Sequence, residues 1–326
     1  MAALRVLSGT RPTSQLHLGN LLGALDNWKK YQKEDAFFMI ADWHALTTEY
    51  ESHLSLADQV FEVALDYLAS GLDPKKATIF VQSWVPQHAE LALLLSMITP
   101  LSWLERNPTY KDQIRELADK DIKTHGFLGY PVLQAADILL YQADVVPVGE
   151  DQLPHLELCR EIARRFNHLY QKNVFKEPKA VLSKVPKLPG LDGRKMSKSY
   201  GNAIYLSDSP KEVEQKVMQM VTDPARKRRS DKGHPEVCPV YTYHQIFNAK
   251  NETTVAKECR AAERGCVECK REMCQTLQVF MTPMYETRSK LKKNKQEVVD
   301  ILKAGSKKAA AVAQETLERA KQAAGM

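Results

Sequence analysis

LRVLSGTRPTSQLHLGNLLGAL, residues 4–25, carries three structural signals in succession. Leu4–Ser8 is a short apolar, β-prone run that ends in turn residues, as a buried strand does. A glycine-containing loop follows, and from GNLLGAL onward the apolar residues recur at helical spacing. Strand, loop and helix start in that order aim backbone N–H groups at an anion. His17 and Asn20 add side-chain donors there, and Gly19 lets a ligand come close to the backbone. A turn histidine with no ligand has the same local pattern.

The alternation continues outward. AFFMIA (36–41), TIFVQ (78–82) and DVVPVG (144–149) read as further buried strands, and LADQVFEVALDYLASG and AELALLLSMI as helices between them. Gly71-Leu72-Asp73-Pro74 is a helix stop. Such alternation predicts an α/β fold, a Rossmann-like doubly wound parallel sheet covered on both faces. A polar, helix-like insertion is expected at about 100–127. From about residue 205 helical patterns dominate and basic residues and cysteines gather. The expected division is therefore a catalytic domain over 1–204, a mostly helical second domain over 205–295 and a C-terminal helix over 296–326 that packs back on the protein.

The 326 residues are 44% hydrophobic and 26% charged, ordinary values for a globular protein, with a net charge of +6. No apolar run approaches the ~20 residues that span a bilayer. The first residues lack the pattern of a secretory signal, so a cytoplasmic protein without membrane contact is expected. Positive charge concentrates in ARKRRSDK (225–232) and RSKLKKNK (288–295). Each is a candidate phosphate-contacting surface or simply a solvated face.

GRKMSKSYGN (193–202) is a polar loop with Lys195 and Lys198 three residues apart. Ammonium groups at that spacing can neutralise charge on a transferring phosphate. HLGN (17–20) followed by KMSKS (195–199) resembles the paired signatures of class I aminoacyl-tRNA synthetases, with Asn20 where the family's last histidine is usual. YPVLQAADILLYQADVVPVGEDQLPHLELCREIARRFN (130–167) resembles the tryptophanyl-tRNA synthetases, and the tyrosyl enzymes less well. On a helix, Asp137 shares its face with Leu133, Leu140 and Tyr141, and a carboxylate so placed needs a partner. An indole N–H is a donor only and suits such an acceptor; a core Asp satisfied by the backbone is the alternative.

The resemblance implies a two-step reaction. Tryptophan and ATP give tryptophanyl-adenylate and pyrophosphate, and the acyl group then passes to tRNA(Trp), with Mg²⁺ present and the chain a homodimer. It implies catalytic roles for Lys195, Lys198 and His17. ATP is expected at Arg11, Pro12, Thr13, Gly19, Asn20, Gly149, Glu150, Asp151, Val185, Lys195, Met196, Ser197, Lys198 and Ser199. Tryptophan is expected at Asp137, His44, Tyr130, Gln134 and Gln152. Asp151 has a second reading as a helix N-cap. A class I-like nucleotidyltransferase or a non-catalytic, metal-stapled RNA-binding protein are the rival readings.

Cys238, Cys259, Cys266 and Cys269 stand in a C-x20-C-x6-C-x2-C pattern, with Cys274 nearby as an alternative fourth ligand. In a reducing compartment such crowding points to metal, and four thiolates fit Zn²⁺ or an iron–sulfur cluster. Resemblance to a subset of bacterial tryptophanyl-tRNA synthetases implies a [4Fe–4S] cluster. It also implies an anticodon-reading role for the helical domain, with the run at 225–232 on RNA phosphates.

Overall fold

The computed structural model describes residues 3–13, 15–51, 55–116, 121–182 and 188–326. Five strands, β1 (Arg5–Thr10), β2 (Asp35–Ile40), β3 (Thr78–Val81), β4 (Val145–Val148) and β5 (Lys179–Leu182), form one sheet in the order β3-β2-β1-β4-β5. Every pairing is parallel. The four anticipated strands are apolar runs buried on both faces, as parallel sheets require. β5 escaped the sequence reading because KAVL is a mostly exposed edge.

The chain winds outward from β1 through β2 to β3, then returns to β4 on the other side of β1. The switch point therefore lies between β1 and β4, where open α/β sheets hold ligands beyond the strand C-termini. The helices in this half are α1 (Leu18–Asn20), α2 (Asp26–Lys30), α3 (Asp42–Glu49), α4 (Leu56–Ala69), α5 (Gln87–Ser96), α6 (Leu101–Glu105), α7 (Pro108–Glu116), α8 (His125–Leu140) and α9 (Leu153–Leu169). A continuous helix was expected after Gly19. Instead Leu21–Leu25 forms a π-helical stretch between α1 and α2. Such widened turns recur at functional sites, and here Gly23 and Ala24 of the stretch line the central cavity.

Beyond residue 205 the regular structure is helical: α10 (Pro210–Gln219), α11 (Pro239–Phe247), α12 (Glu252–Arg260), α13 (Cys266–Lys293) and α14 (Lys295–Ala323). A capping box at Ser209 and Glu212 starts α10. α13 is one helix of 28 residues that packs on α10 and α11 near its start and on α4 further along. Its Met273, Leu277 and Met281 share a core with Val6, Leu21 and Phe38 of the sheet side, so one apolar layer joins the two halves.

α14 crosses the edge strand β3. Val298 and Leu302 enter the core on one face of the sheet, and Ala309, Ala313 and Leu317 enter the core on the other. The crossing depends on Gly305, where an added Cβ would lie 1.8 Å from the carbonyl oxygen of Ile79. Ser306 Oγ accepts the Val81 N–H at 3.3 Å. No helix is long and apolar enough to cross a membrane, among the described residues.

Candidate active site

A cavity of about 340 Å³ opens at the switch point, within the range for small-molecule sites. Of the residues singled out in the sequence, Arg11, His44, Tyr130, Gln134, Asp137, Gly149 and Gln152 line it. Glu150 and Asp151 do not; both are exposed on a 3₁₀ turn. Gly149 occupies the cap position of that turn, so the reading of Asp151 as N-cap is corrected: its Oδ2 accepts instead from Gln152 Nε2 at 2.9 Å.

Asp137 is 1% exposed, and both its oxygens are held by side chains rather than by the backbone. His88 Nδ1 lies 2.6 Å from Oδ1 and His44 Nε2 lies 2.7 Å from Oδ2. Gln82 Nε2 donates to both, at 2.9 and 3.0 Å. The Gln82 oxygen accepts the His44 N–H, which fixes the orientation of the amide. Burial alone would raise the carboxyl, but His88 and the hydrogen bonds of both histidines outweigh it and hold Asp137 well below the usual carboxylate range. The cavity therefore contains a preformed, ionised acceptor suited to a donor-only ring nitrogen. Gln82 and His88 were missed in the sequence; they reach Asp137 from 55 and 49 residues away.

Tyr130 is oriented by a second chain. The Thr109 N–H donates to Asn107 Oδ1 at 3.0 Å, so the Asn107 amide nitrogen faces His155 Nδ1, 3.1 Å away. The imidazole proton then resides on Nε2 and is donated to Tyr130 Oη at 2.9 Å. Burial and the nearby His44 lower His155 to about 4, keeping the ring neutral. The Tyr130 hydroxyl keeps its own proton to donate towards the cavity.

Next to this cavity, His17 caps α1. Its Nδ1 accepts the Asn20 N–H at 3.3 Å while Asn20 Oδ1 accepts the His17 N–H at 3.0 Å. Nε2 is thus the protonated nitrogen. Burial, followed by the charge of Lys195, lowers His17 to about 4. At neutral pH it is a hydrogen-bond donor and not a cation. Gly19 is required because a Cβ there would sit 2.9 Å from the His17 ring.

Met196, 4% exposed, anchors the KMSKS loop in the core, and Asn202 ties the loop down. The Asn202 oxygen accepts the Ser197 N–H at 2.8 Å, and its nitrogen donates to Asp192 at 2.7 Å. Lys195 and Lys198 are exposed, and Lys198 Nζ donates to the Thr13 carbonyl, bringing the loop onto the segment that follows β1. Pro12 beside it is buried. Val185 and the Ser199 side chain lie outside the described residues.

The six cysteines form no disulfide. Cys238, Cys259, Cys266 and Cys269 line one small pocket in the helical half, whereas Cys274 is buried in the main core with its thiol 3.9 Å from the Glu214 carbonyl oxygen. Among the described residues no group of three or more His, Cys, Asp or Glu is placed to hold a metal ion. A single tetrahedral Zn²⁺, with bonds of about 2.3 Å to sulfur, draws its ligands tightly together. By donor chemistry alone, four thiolates suit Zn²⁺ or an iron–sulfur cluster alike. Two basic side chains reach the thiols. Arg226 Nη1 is 3.8 Å from Cys259 Sγ, and its buried Nε has no partner. His244 Nε2 is 3.3 Å from Cys269 Sγ. Arg226, expected among phosphate contacts, turns towards the thiols, while Lys227, Arg228 and Arg229 face solvent.

A doubly wound sheet whose switch-point cavity lies beside an HLGN cap and a KMSKS loop is the catalytic core of a class I aminoacyl-tRNA synthetase. A family model described as tRNA synthetases class I (W and Y) matches residues 1–282, and the chain belongs to this family. It is 54% identical to the tryptophan–tRNA ligase of Thermotoga maritima over 324 residues, 98% of each chain. Identity to the Aquifex aeolicus tryptophan–tRNA ligase is 45%, covering 98% of this chain and 99% of that one. The crystal structure of Campylobacter jejuni tryptophanyl-tRNA synthetase complexed with ADP and tryptophan superposes with a TM-score of 0.90 at 31% identity, covering 99% of this chain and 100% of that one.

Proposed function

We propose that the chain is a tryptophan–tRNA ligase, which activates L-tryptophan with ATP and transfers it to tRNA(Trp). The observation that carries the amino-acid choice is the buried, ionised Asp137 at the cavity wall. A site built on one buried acceptor discriminates strongly against rings that leave it unpaired. The indole N–H would donate to Asp137, Tyr130 and Gln152 would hold the α-substituents, and the tryptophan carboxylate would face the ATP α-phosphate. ATP would lie against residues 11–13, His17, Asn20 and Gly149, with Lys195 and Lys198 stabilising charge on the departing pyrophosphate. Mg²⁺ accompanies ATP and neutralises its phosphates. ATP–pyrophosphate exchange that depends on tryptophan tests the reading; exchange driven by tyrosine instead, or none, overturns it.

The same reading assigns residues 1–204 to catalysis and 205–295 to anticodon recognition, in the cytoplasm. Cys238, Cys259, Cys266 and Cys269 would hold a [4Fe–4S] cluster, whose contribution is to cross-link α11, α12 and α13. Anaerobically purified protein should be brown, with about four irons and four sulfides per chain, as the cluster formula requires; one zinc would overturn that part. A homodimer is supported by the apolar surface on α5 and α6, where Leu93, Met97 and Leu101 are 62%, 71% and 64% exposed. Light scattering on the purified chain checks it.

A further inference from the structure

Asp66, on α4, is 0% exposed and takes no part in the amino-acid site. Its Oδ2 accepts the Leu16 N–H at 2.8 Å, and its Oδ1 accepts from Arg288 Nε on α13 at 2.7 Å. Arg288, 5% exposed, extends its second arm to Glu62, one turn earlier on α4. Glu62 also accepts from Lys292 Nζ at 2.9 Å and from Gln15 Nε2 at 3.3 Å. One guanidinium from the helical half thus bridges two carboxylates that grip Gln15 and Leu16, the two residues immediately before His17.

The grip has a direction. Leu16 and Leu18 are already paired to the segment 204–206, through Leu206 N–H to the Leu16 carbonyl at 2.8 Å and Leu18 N–H to the Ile204 carbonyl at 2.9 Å. The Leu16 N–H faces the other way, to Asp66, and so sets the lateral position of the segment that carries the cap. Only a charged Asp66 makes the strong form of that bond. Burial pushes the Asp66 carboxyl up to about 6 against the pull of Arg288 and the Leu16 N–H. Its ionised form therefore depends on the guanidinium. A lysine in this place supplies the charge but not the planar fork that joins two carboxylates.

We propose that Arg288 is a positioning residue for the ATP phosphates: through Asp66 and the Leu16 N–H it holds His17 and Asn20 where a phosphate must meet them. The helical half thereby sets the geometry of the phosphate loop while leaving the tryptophan end alone, because none of Asp137, His44, His88 or Tyr130 touches this network. The proposal deepens the ligase reading. Tryptophan-dependent exchange by the unaltered chain tests that reading, and only the difference between variant and unaltered chain tests Arg288.

The experiment measures ATP–pyrophosphate exchange with ATP and tryptophan varied separately, together with tryptophan binding by equilibrium dialysis. Arg288→Met is expected to lower kcat/KM for ATP at least 10-fold while the tryptophan Kd stays within twofold. Equal losses for both substrates, or a loss for neither, overturn the proposal. Should Arg288→Met fail to fold, Arg288→Lys decides alone, since it keeps the buried charge paired but cannot bridge Asp66 and Glu62. A loss of threefold or more confined to ATP supports the proposal, and any smaller or shared change overturns it.

Discussion

Asp137 Oδ1 and His88 Nδ1 stand 2.6 Å apart, and the far nitrogen of the same ring lies 2.8 Å from the Tyr141 hydroxyl. The histidine is wholly buried behind the carboxylate and does not line the cavity. It therefore acts on a ligand only through Asp137.

His88→Leu removes that donor and leaves Asp137 with Gln82 and His44. Tryptophan affinity should fall roughly 10- to 100-fold, the equivalent of a hydrogen bond to a charged group at about 1.5–3 kcal/mol. ATP binding should not change. Equilibrium dialysis with each substrate separates the two; a shared loss would mean that the pocket had collapsed.

Lys198→Ala should slow adenylate formation about 100-fold, in line with removing one charge-stabilising donor, and leave the tryptophan Kd within twofold. The lysine donates to the Thr13 carbonyl, in the segment that follows β1. Single-turnover adenylate formation beside dialysis gives both numbers, and equal losses in the two would sink the assigned role.

His17 and His155 both titrate near 4 in the folded chain, below the ordinary 6.5. Between those values the unfolded chain binds the extra protons, so each ring withdraws stability as pH falls from 6.5 towards 4. Asp66, raised to about 6, works in the opposite sense over its own range. Comparing His155→Gln with the unaltered chain cancels that contribution. The variant's Tm should decline less steeply between pH 6.5 and 4, and parallel Tm curves would show that His155 is not held neutral.

On the proposed cluster assignment, Cys238→Ser should lose iron and sulfide, while Cys274→Ser retains both. Cys238 lines the thiol pocket, and Cys274 is 4% exposed in the apolar core. Metal analysis after anaerobic purification distinguishes them, and the reverse pattern would exchange their roles.

What could be read from the sequence was whatever is encoded over short spans. The β1 turn, the HLGN cap and the KMSKS loop are contiguous, and four strands declare themselves as doubly buried runs. Asp137 shows because a carboxylate on an apolar helical face is conspicuous. Gln82 and His88 do not show, because a strand end and a distant helix meet Asp137 only in the folded chain. Arg226 was legible as a basic residue and misleading as to destination, since charge runs do not reveal which member turns inward. Asp66 and Arg288 lie 222 residues apart, and no local pattern links them.

Gly305 lets α14 lie against the β3 backbone and finish both faces of the sheet. Strands β1, β2 and β3 are complete by residue 81, yet the helix that seals their edge begins at residue 295. During synthesis at about 5–20 residues per second, that edge stays open for roughly 10–40 s after β3 is made. An open parallel edge presents unpaired backbone groups to any passing strand. The nascent chain is thus most exposed to misassembly before its last helix emerges, and a shielding chaperone would be of most use during that interval.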